Sequence, residues 1–188
     1  MSEATLTEVI TGVAVLLLLA TYLSWTVSRI DRLSARVAAA WASLDAQLVR
    51  RAAAAGQLAA YERRHKGSAD GSLKTMEYAA AAARTAAPAE RQDAENDLTR
   101  TIRASLADGN LYGTRAADLF DDVRDSSIKV DFARQFYNDA VRDNVGLRRR
   151  WLCRILCSMR SDPTFRYFEI ADAAIGADRS RAEAEPRG

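Results

Sequence analysis

Two cysteines, Cys153 and Cys157, stand four residues apart, a spacing that puts both thiols on one side of a helix. Such a pair can join a metal site only with ligands from elsewhere, and it can accept palmitate beside a membrane. The pair reads as two small reduced residues that pack as hydrophobes in a reducing compartment. The single histidine, His65, lies among Arg63, Arg64 and Lys66. A metal site needs three or four converging ligands, so His65 reads as a solvated residue facing a helix dipole. Asp121-Asp122 and the other carboxylate pairs fall on ordinary solvated helix faces. The chain shows no glycine-rich phosphate loop, no Ser/His/Asp set and no Cys/His pair. The expectation is therefore a protein without catalysis, cofactor, metal or small-molecule substrate.

The other chemically pointed cluster is basic. Arg148, Arg149, Arg150 and Arg154 interleave with Leu147, Trp151, Leu152, Ile155 and Leu156. On a helical wheel the apolar residues take about half the circumference. Arg148, Arg149, Arg150, Trp151 and Arg154 are thus candidate lipid contacts on an anionic surface. The competing reading has the apolar face packed back on the protein and the arginines in water.

These residues must be positioned by helices. The chain has 188 residues, 48% of them apolar, with only nine glycines and three prolines. That mix suits long helices and excludes an all-β fold rich in turns. Lys+Arg number 27 and Asp+Glu 25, so the net charge of +2 gives no electrostatic case for a nucleic-acid partner.

Residues 1–8 form a short N-terminal tail, and residues 9–28 carry no charge. About 20 apolar residues in a helix span a bilayer core of about 30 Å. Tyr22 and Trp25 stand near the C-terminal end of this run, where amphipathic rings prefer the interface. A cleaved signal peptide would want a positive start and a small-x-small site; Glu3, Glu8 and Tyr22-Leu23-Ser24-Trp25 supply neither. Arg29, Arg32 and Arg36 follow the run and no Lys or Arg precedes it. The positive-inside bias then predicts an inner-membrane protein, single-pass, with the N-terminus outside and the remainder cytoplasmic.

Residues 29–147 read as a bundle of coiled-coil type. Ile30, Leu33, Val37, Ala40/Trp41, Leu44 and Leu48 follow the helical period, and no breaker separates them from the apolar run. One helix is thus expected to cross the membrane and continue to about His65. A second stretch runs from Ser72 to about Ala107 and contains Pro88. A third runs from Leu111 to about Leu147 on the stripe Ala116, Leu119, Val123, Val130, Ala133, Tyr137 and Ala140/Val141, with Ser127 intruding. The fold class predicted is all-α: one N-terminal transmembrane helix followed by an antiparallel three- or four-helix bundle. The number turns on whether Pro88 kinks one helix or separates two. Residues 148–175 form the basic-apolar C-terminal segment, and the charged, alanine-rich residues 176–188 are expected to be disordered. With three helices the segment at 148 starts about 50 Å from the membrane, which favours back-packing on the bundle; a turn at Pro88 reverses the parity and starts it near the membrane.

Several strings carry a family resemblance. Ala40-Trp41, Leu44-Asp45, Gln47-Leu48 and Arg50-Arg51 resemble the first block of the LemA family. The run from Ala133 to Asp143, Ala-Arg-Gln-Phe-Tyr-Asn-Asp-Ala-Val-Arg-Asp, resembles its most recognisable block. Ala94-Glu95-Asn96 with Leu98 is similar to the middle block, and Tyr167-Phe168-Glu169 to the ending. Ala55-Gly56-Gln57-Leu58 departs from the family's proline-asparagine turn, and Asn144 stands where a tyrosine is common. The resemblance implies a bacterial membrane-anchored helical bundle without established catalysis. It marks Trp41, Asp45, Gln47, Arg50, Arg51, Arg134, Tyr137 and Asn138 as family-motif positions, either pairing helices inside the bundle or forming a partner face. The expected role is a non-enzymatic scaffold or adaptor in envelope or membrane organisation, with protein partners or self-association. The alternative is a regulatory subunit of a membrane protease or signalling enzyme.

Overall fold

The computed structural model describes residues 3–66, 71–107, 113–148 and 165–170. Its order is α1 (Glu3–Lys66), α2 (Gly71–Thr85), α3 (Arg91–Ala107) and α4 (Gly113–Arg148), and no strand occurs among the described residues. The Cys153/Cys157 pair, Arg149, Arg150, Trp151 and Arg154 lie outside the described residues, as does the 176–188 tail.

Helix α1 runs unbroken for 64 residues. Its apolar part is unburied: Val13, Leu16, Leu17, Leu18 and Trp25 are all exposed. A helix this apolar and this bare is a candidate membrane span by length and composition. Its hydroxyls are satisfied within the helix. Thr21 Oγ1 donates to Leu17 O at 2.8 Å, and Ser28 Oγ to Ser24 O at 2.9 Å. Neither hydroxyl is therefore left without an acceptor at those positions. At the end of the run Tyr22 and Trp25 stand 6.4 Å apart, and the Arg29 guanidinium lies 5.6 Å from the Trp25 ring centroid. The last turn carries Arg63, Arg64, His65 and Lys66, cations that suit a helix C-terminus.

Pro88 separates two helices. Glu90 N donates to Ala87 O at 2.9 Å, which closes a turn with proline at its second position. Helix α3 begins at Arg91, so Pro88 sits in the turn ahead of that helix and not in its first turn. The bundle therefore has four members, and the parity is the reverse of the three-helix case. The back-packing expected for the basic segment at 148 loses its motivation with that parity.

The chain divides into two compact units, residues 1–39 with 139–166, and residues 40–138 with 167–188. In the first, Ile30 and Leu147 are buried against each other with Leu33. Asn144 Nδ2 donates to Ser34 Oγ at 3.3 Å, and Arg36 pairs with Asp143 at 3.2 Å. The end of α4 thus lies beside residues 30–36 of α1, just after the apolar run.

The second unit holds the main core. Ala52, Ala55, Leu58 and Ala59 of α1 meet Met76, Ala80 and Ala83 of α2, Leu98 and Ile102 of α3, and Ala116, Leu119 and Val123 of α4. Methyl side chains at so many of these positions let helix axes approach closely. The stripe read on α4 is buried, and Ser127 is accommodated on it by donating to Val123 O at 2.8 Å. Gly113 opens α4 at φ 78°, a left-handed conformation that costs other residues strain. Leu98 is fully buried where all four helices meet. Leu98→Ala should lower the unfolding free energy by about 2–5 kcal/mol in chemical denaturation of the full-length protein. A loss below about 1 kcal/mol would contradict this four-helix core.

Candidate functional site: buried ion pairs and an aromatic clasp

Arg51 is fully buried in α1. A guanidinium there must be matched by charge and by acceptors, or the fold loses several kcal/mol. Helix α3 supplies the match. Glu95 Oε2 lies 3.1 Å from Arg51 Nη2, and both side chains are completely shielded. The same Nη2 donates to Thr99 Oγ1 at 2.7 Å and to Glu95 O at 3.3 Å. Thr99 Oγ1 in turn donates to Glu95 O at 2.8 Å. Arg51 Nε and Nη1 and Glu95 Oε1 are buried without a hydrogen-bond partner.

A second link stands one turn earlier on α3. Arg91 Nη2 pairs with Asp45 Oδ1 at 2.8 Å, and its Nη1 donates to Ala83 O at 2.6 Å near the end of α2. Arg91 therefore joins α1, α2 and α3 at the Pro88 turn.

Burial raises the Glu95 carboxyl to about 7, against the opposing pull of Arg51 and Arg91. Burial also lowers Arg51 from its ordinary value, opposed by the attraction of Glu95 and Asp131. Desolvation outweighs the ion pair for both partners, as expected for charges shielded from water on all sides.

The second cluster is aromatic. The Trp41 ring meets Tyr137 at 5.4 Å and Phe168 at 5.6 Å, both edge to face. Asn138 Nδ2 donates to Phe168 O at 3.1 Å, and Phe168 N donates to Asn138 Oδ1 at 3.0 Å. One side-chain amide thus serves both backbone groups of Phe168. Glu169 N donates to Gln92 Oε1 at 3.4 Å, and Phe168 and Ile170 are buried. Residues 167–170 are clasped onto α1, α3 and α4 by this arrangement. Burial also raises the Tyr137 hydroxyl above its ordinary value.

Five of the eight motif positions build these two clusters. Trp41, Tyr137 and Asn138 build the clasp, and Asp45 and Arg51 the ion pairs. Arg134 faces Asp131 on α4 at 3.7 Å. The Gln47 amide oxygen is buried without a hydrogen-bond partner. Arg50 is exposed and belongs to neither cluster. Trp41 is only half-buried, a lid on the aromatic cluster and not a fully enclosed core residue. Arg148, expected at the lipid, donates from Nε to Asn144 Oδ1 at 2.6 Å and stands 5.8 Å from the Phe165 ring centroid. His65 Nδ1 bonds Tyr61 O at 2.8 Å, and the two rings stack with centroids 4.1 Å apart. No group of three His, Cys, Asp or Glu able to hold a metal occurs among the described residues.

Arg91, Gln92 and Thr99 do not stand out in the sequence, and Glu95 and Phe168 appear there only within strings that carry the family resemblance. The signal that could have found Arg91 and Glu95 is their four-residue spacing in line with Leu98 and Ile102. A scan against protein-family models finds no match to the chain, and a search of curated proteins finds none.

The Glu95 value fixes a sign for pH dependence. A carboxyl raised from about 4.5 to about 7 by folding contributes stability fully present below about 4.5 and lost as pH rises through about 7. Thermal melts of the wild type and Glu95→Gln across that window should converge in slope only above it, with the wild type alone losing stability through this carboxyl. Equal slopes throughout would contradict the assignment. Arg51→Ala strands Glu95 and should cost about 3–5 kcal/mol, and Arg51→Met combined with Glu95→Leu should recover most of that loss.

Proposed function

We propose that the protein is a non-enzymatic, membrane-anchored scaffold or adaptor of LemA type, working at the cytoplasmic face of the inner membrane. The observation that carries this reading is α1, which passes from a bare apolar run into the core of a four-helix bundle without a break. The motif residues support it. Asp45 is occupied with Arg91 and Arg51 with Glu95, while Trp41 meets Tyr137 and Phe168, and Asn138 holds the backbone of Phe168. Groups engaged in holding helices together are poor candidates for chemistry on a substrate, and their expense suits a rigid platform. The arginine flank at residues 29, 32 and 36 favours an outside N-terminus and a cytoplasmic bundle.

One observation favours the regulatory alternative. Ile128, Phe132 and Phe136 recur every fourth residue on α4 and are all exposed. Such a stripe suits one stable protein partner. A regulator predicts a stoichiometric enzyme whose activity changes on deletion; a scaffold predicts several partners or self-association.

Reporter fusions after Arg51 and at the C-terminus should both read cytoplasmic, and the chain should resist alkaline carbonate extraction. Release by carbonate, or an outside reading from either fusion, would overturn the anchored topology.

A further inference from the structure

A groove of about 580 Å³ runs along α1 between α2 and the start of α4. Its floor is made of small residues, among them Ala53, Gly56, Ala60 and Ala81. A methyl placed on Gly56 would already touch Ala80 Cβ at 3.5 Å, so the floor is shallow and close to backbone. The polar lining is dominated by cations from three helices, Arg64 of α1, Arg84 of α2 and Arg115 of α4. The carboxylate in the lining, Glu77, is engaged by Arg63 at 2.9 Å. Arg64, Arg84 and Arg115 are exposed and make no ion pair with a described residue. Three unmatched guanidiniums on one groove are a marked departure in a chain whose charges nearly balance, 27 against 25.

The matching surface is on the same molecule. Asp118, Asp121, Asp122 and Asp125 of α4 are exposed and likewise without an ion pair among the described residues. Their spacing of three, four and seven puts them along one helix face. Heights along this unit follow from Trp41 facing Tyr137 on antiparallel helices. Counting residue for residue from that contact, positions 118–125 of α4 stand level with positions 53–60 of α1, which line the groove. Copies anchored in one membrane share their height. The acidic face of one therefore comes level with the basic groove of its neighbour, without tilt or displacement.

We propose that this groove receives the Asp118–Asp125 face of α4 from a second copy of the chain. The contact is head-to-tail, since groove and face are different surfaces, so it propagates into a ring or a row and does not stop at a closed pair. The shallow alanine floor lets the incoming helix approach, and the arginines meet its carboxylates at the rim. The shared height rests on the anchored reading above; the complementarity of groove and face does not.

Full-length protein in a neutral detergent, followed by sedimentation velocity, tests this. The wild type should associate with rising concentration and dissociate in high salt. Groove reversal, Arg84→Asp with Arg115→Asp, should weaken association about tenfold or more, and so should face reversal, Asp121→Arg, Asp122→Arg and Asp125→Arg. Mixing the two variants one to one should restore association, because each then offers the other a complementary groove and face. Ala81→Trp, at an exposed position on the floor, should block by bulk alone with melting unchanged. The proposal is overturned by a wild type monomeric at every concentration, by reversed variants that associate like the wild type, or by natively melting variants that fail to reassociate when mixed. A monomeric wild type that binds phosphatidylglycerol vesicles through Arg84 and Arg115 overturns it in favour of lipid. Carbonate release of a chain that still associates would sink the anchored reading and leave this contact standing.

Discussion

The Arg51 guanidinium has no exposure to water, and the core of the second unit is arranged around that fact. A buried cation accepts few alternatives. It needs a carboxylate and neutral acceptors within reach, and it needs them at a fixed height on a neighbouring helix. Glu95, its own carbonyl and Thr99 meet that need from two successive turns of α3. Sliding α3 by one residue would rotate Glu95 away and leave Arg51 stranded, a penalty much larger than any gain from repacking methyl groups. The register of α1 against α3 is thus set electrostatically, while burial of Leu98 and Ile102 supplies the attraction. Since desolvation raises Glu95 and lowers Arg51, the pair favours one register and adds little net stability.

The alanine content makes such a device necessary. Ala52, Ala55, Ala59, Ala80 and Ala83 give a smooth interface with little shape to distinguish one register from the next. Leucine knobs specify their holes; methyl groups do so weakly. Arg91 extends the constraint through the Pro88 turn, reaching Asp45 on α1 and Ala83 O on α2. The turn that creates the fourth helix is therefore pinned by the same kind of interaction that registers the third.

This division of labour decides what the sequence shows. The stripes on α1 and α4 are mostly apolar, Arg51 and Ser127 being exceptions, so periodicity identifies Val37, Leu44, Leu48, Val123 and Val130 as buried, and they are. The inward face of α3 is Arg91, Glu95, Leu98, Thr99 and Ile102, three of the five charged or polar. A hydrophobic period cannot see that face, and for the same reason the partner of Arg51 was hidden although Arg51 itself stood out. Pro88 left two outcomes open because its flanks are alanines, which continue a kinked helix or fray into a turn with equal ease. The Ala87–Glu90 hydrogen bond and the Arg91 contacts decide for the turn. The clasp was legible in part: Trp41, Tyr137, Asn138 and Phe168 all stand in strings that carry the family resemblance, but their meeting rests on the backbone pairing of Phe168 to Asn138, which no side-chain pattern announces.

Parity carries the consequence furthest. With four helices, α4 ends beside residues 30–36, at the flank of the apolar run. That end is held differently from the main core. Ile30, Leu147 and Leu33 form its small apolar cluster, and the Arg36–Asp143 pair is more than half exposed. Exposed pairs of this kind contribute about 1 kcal/mol or less. The Asn144–Ser34 bond and the Arg148–Asn144 bond add polar order without much burial of apolar surface. Opening free energy follows buried contact, so the last turns of α4 open before the alanine-rich core does. The α4 turns at Asp143, Gly146 and Leu147, which share a surface with Arg29 and Arg32, are therefore the loosely held end of this helix. An opening confined to these turns breaks the Arg36–Asp143 and Asn144–Ser34 contacts and leaves the Arg51–Glu95 pair untouched, since none of those residues takes part in it.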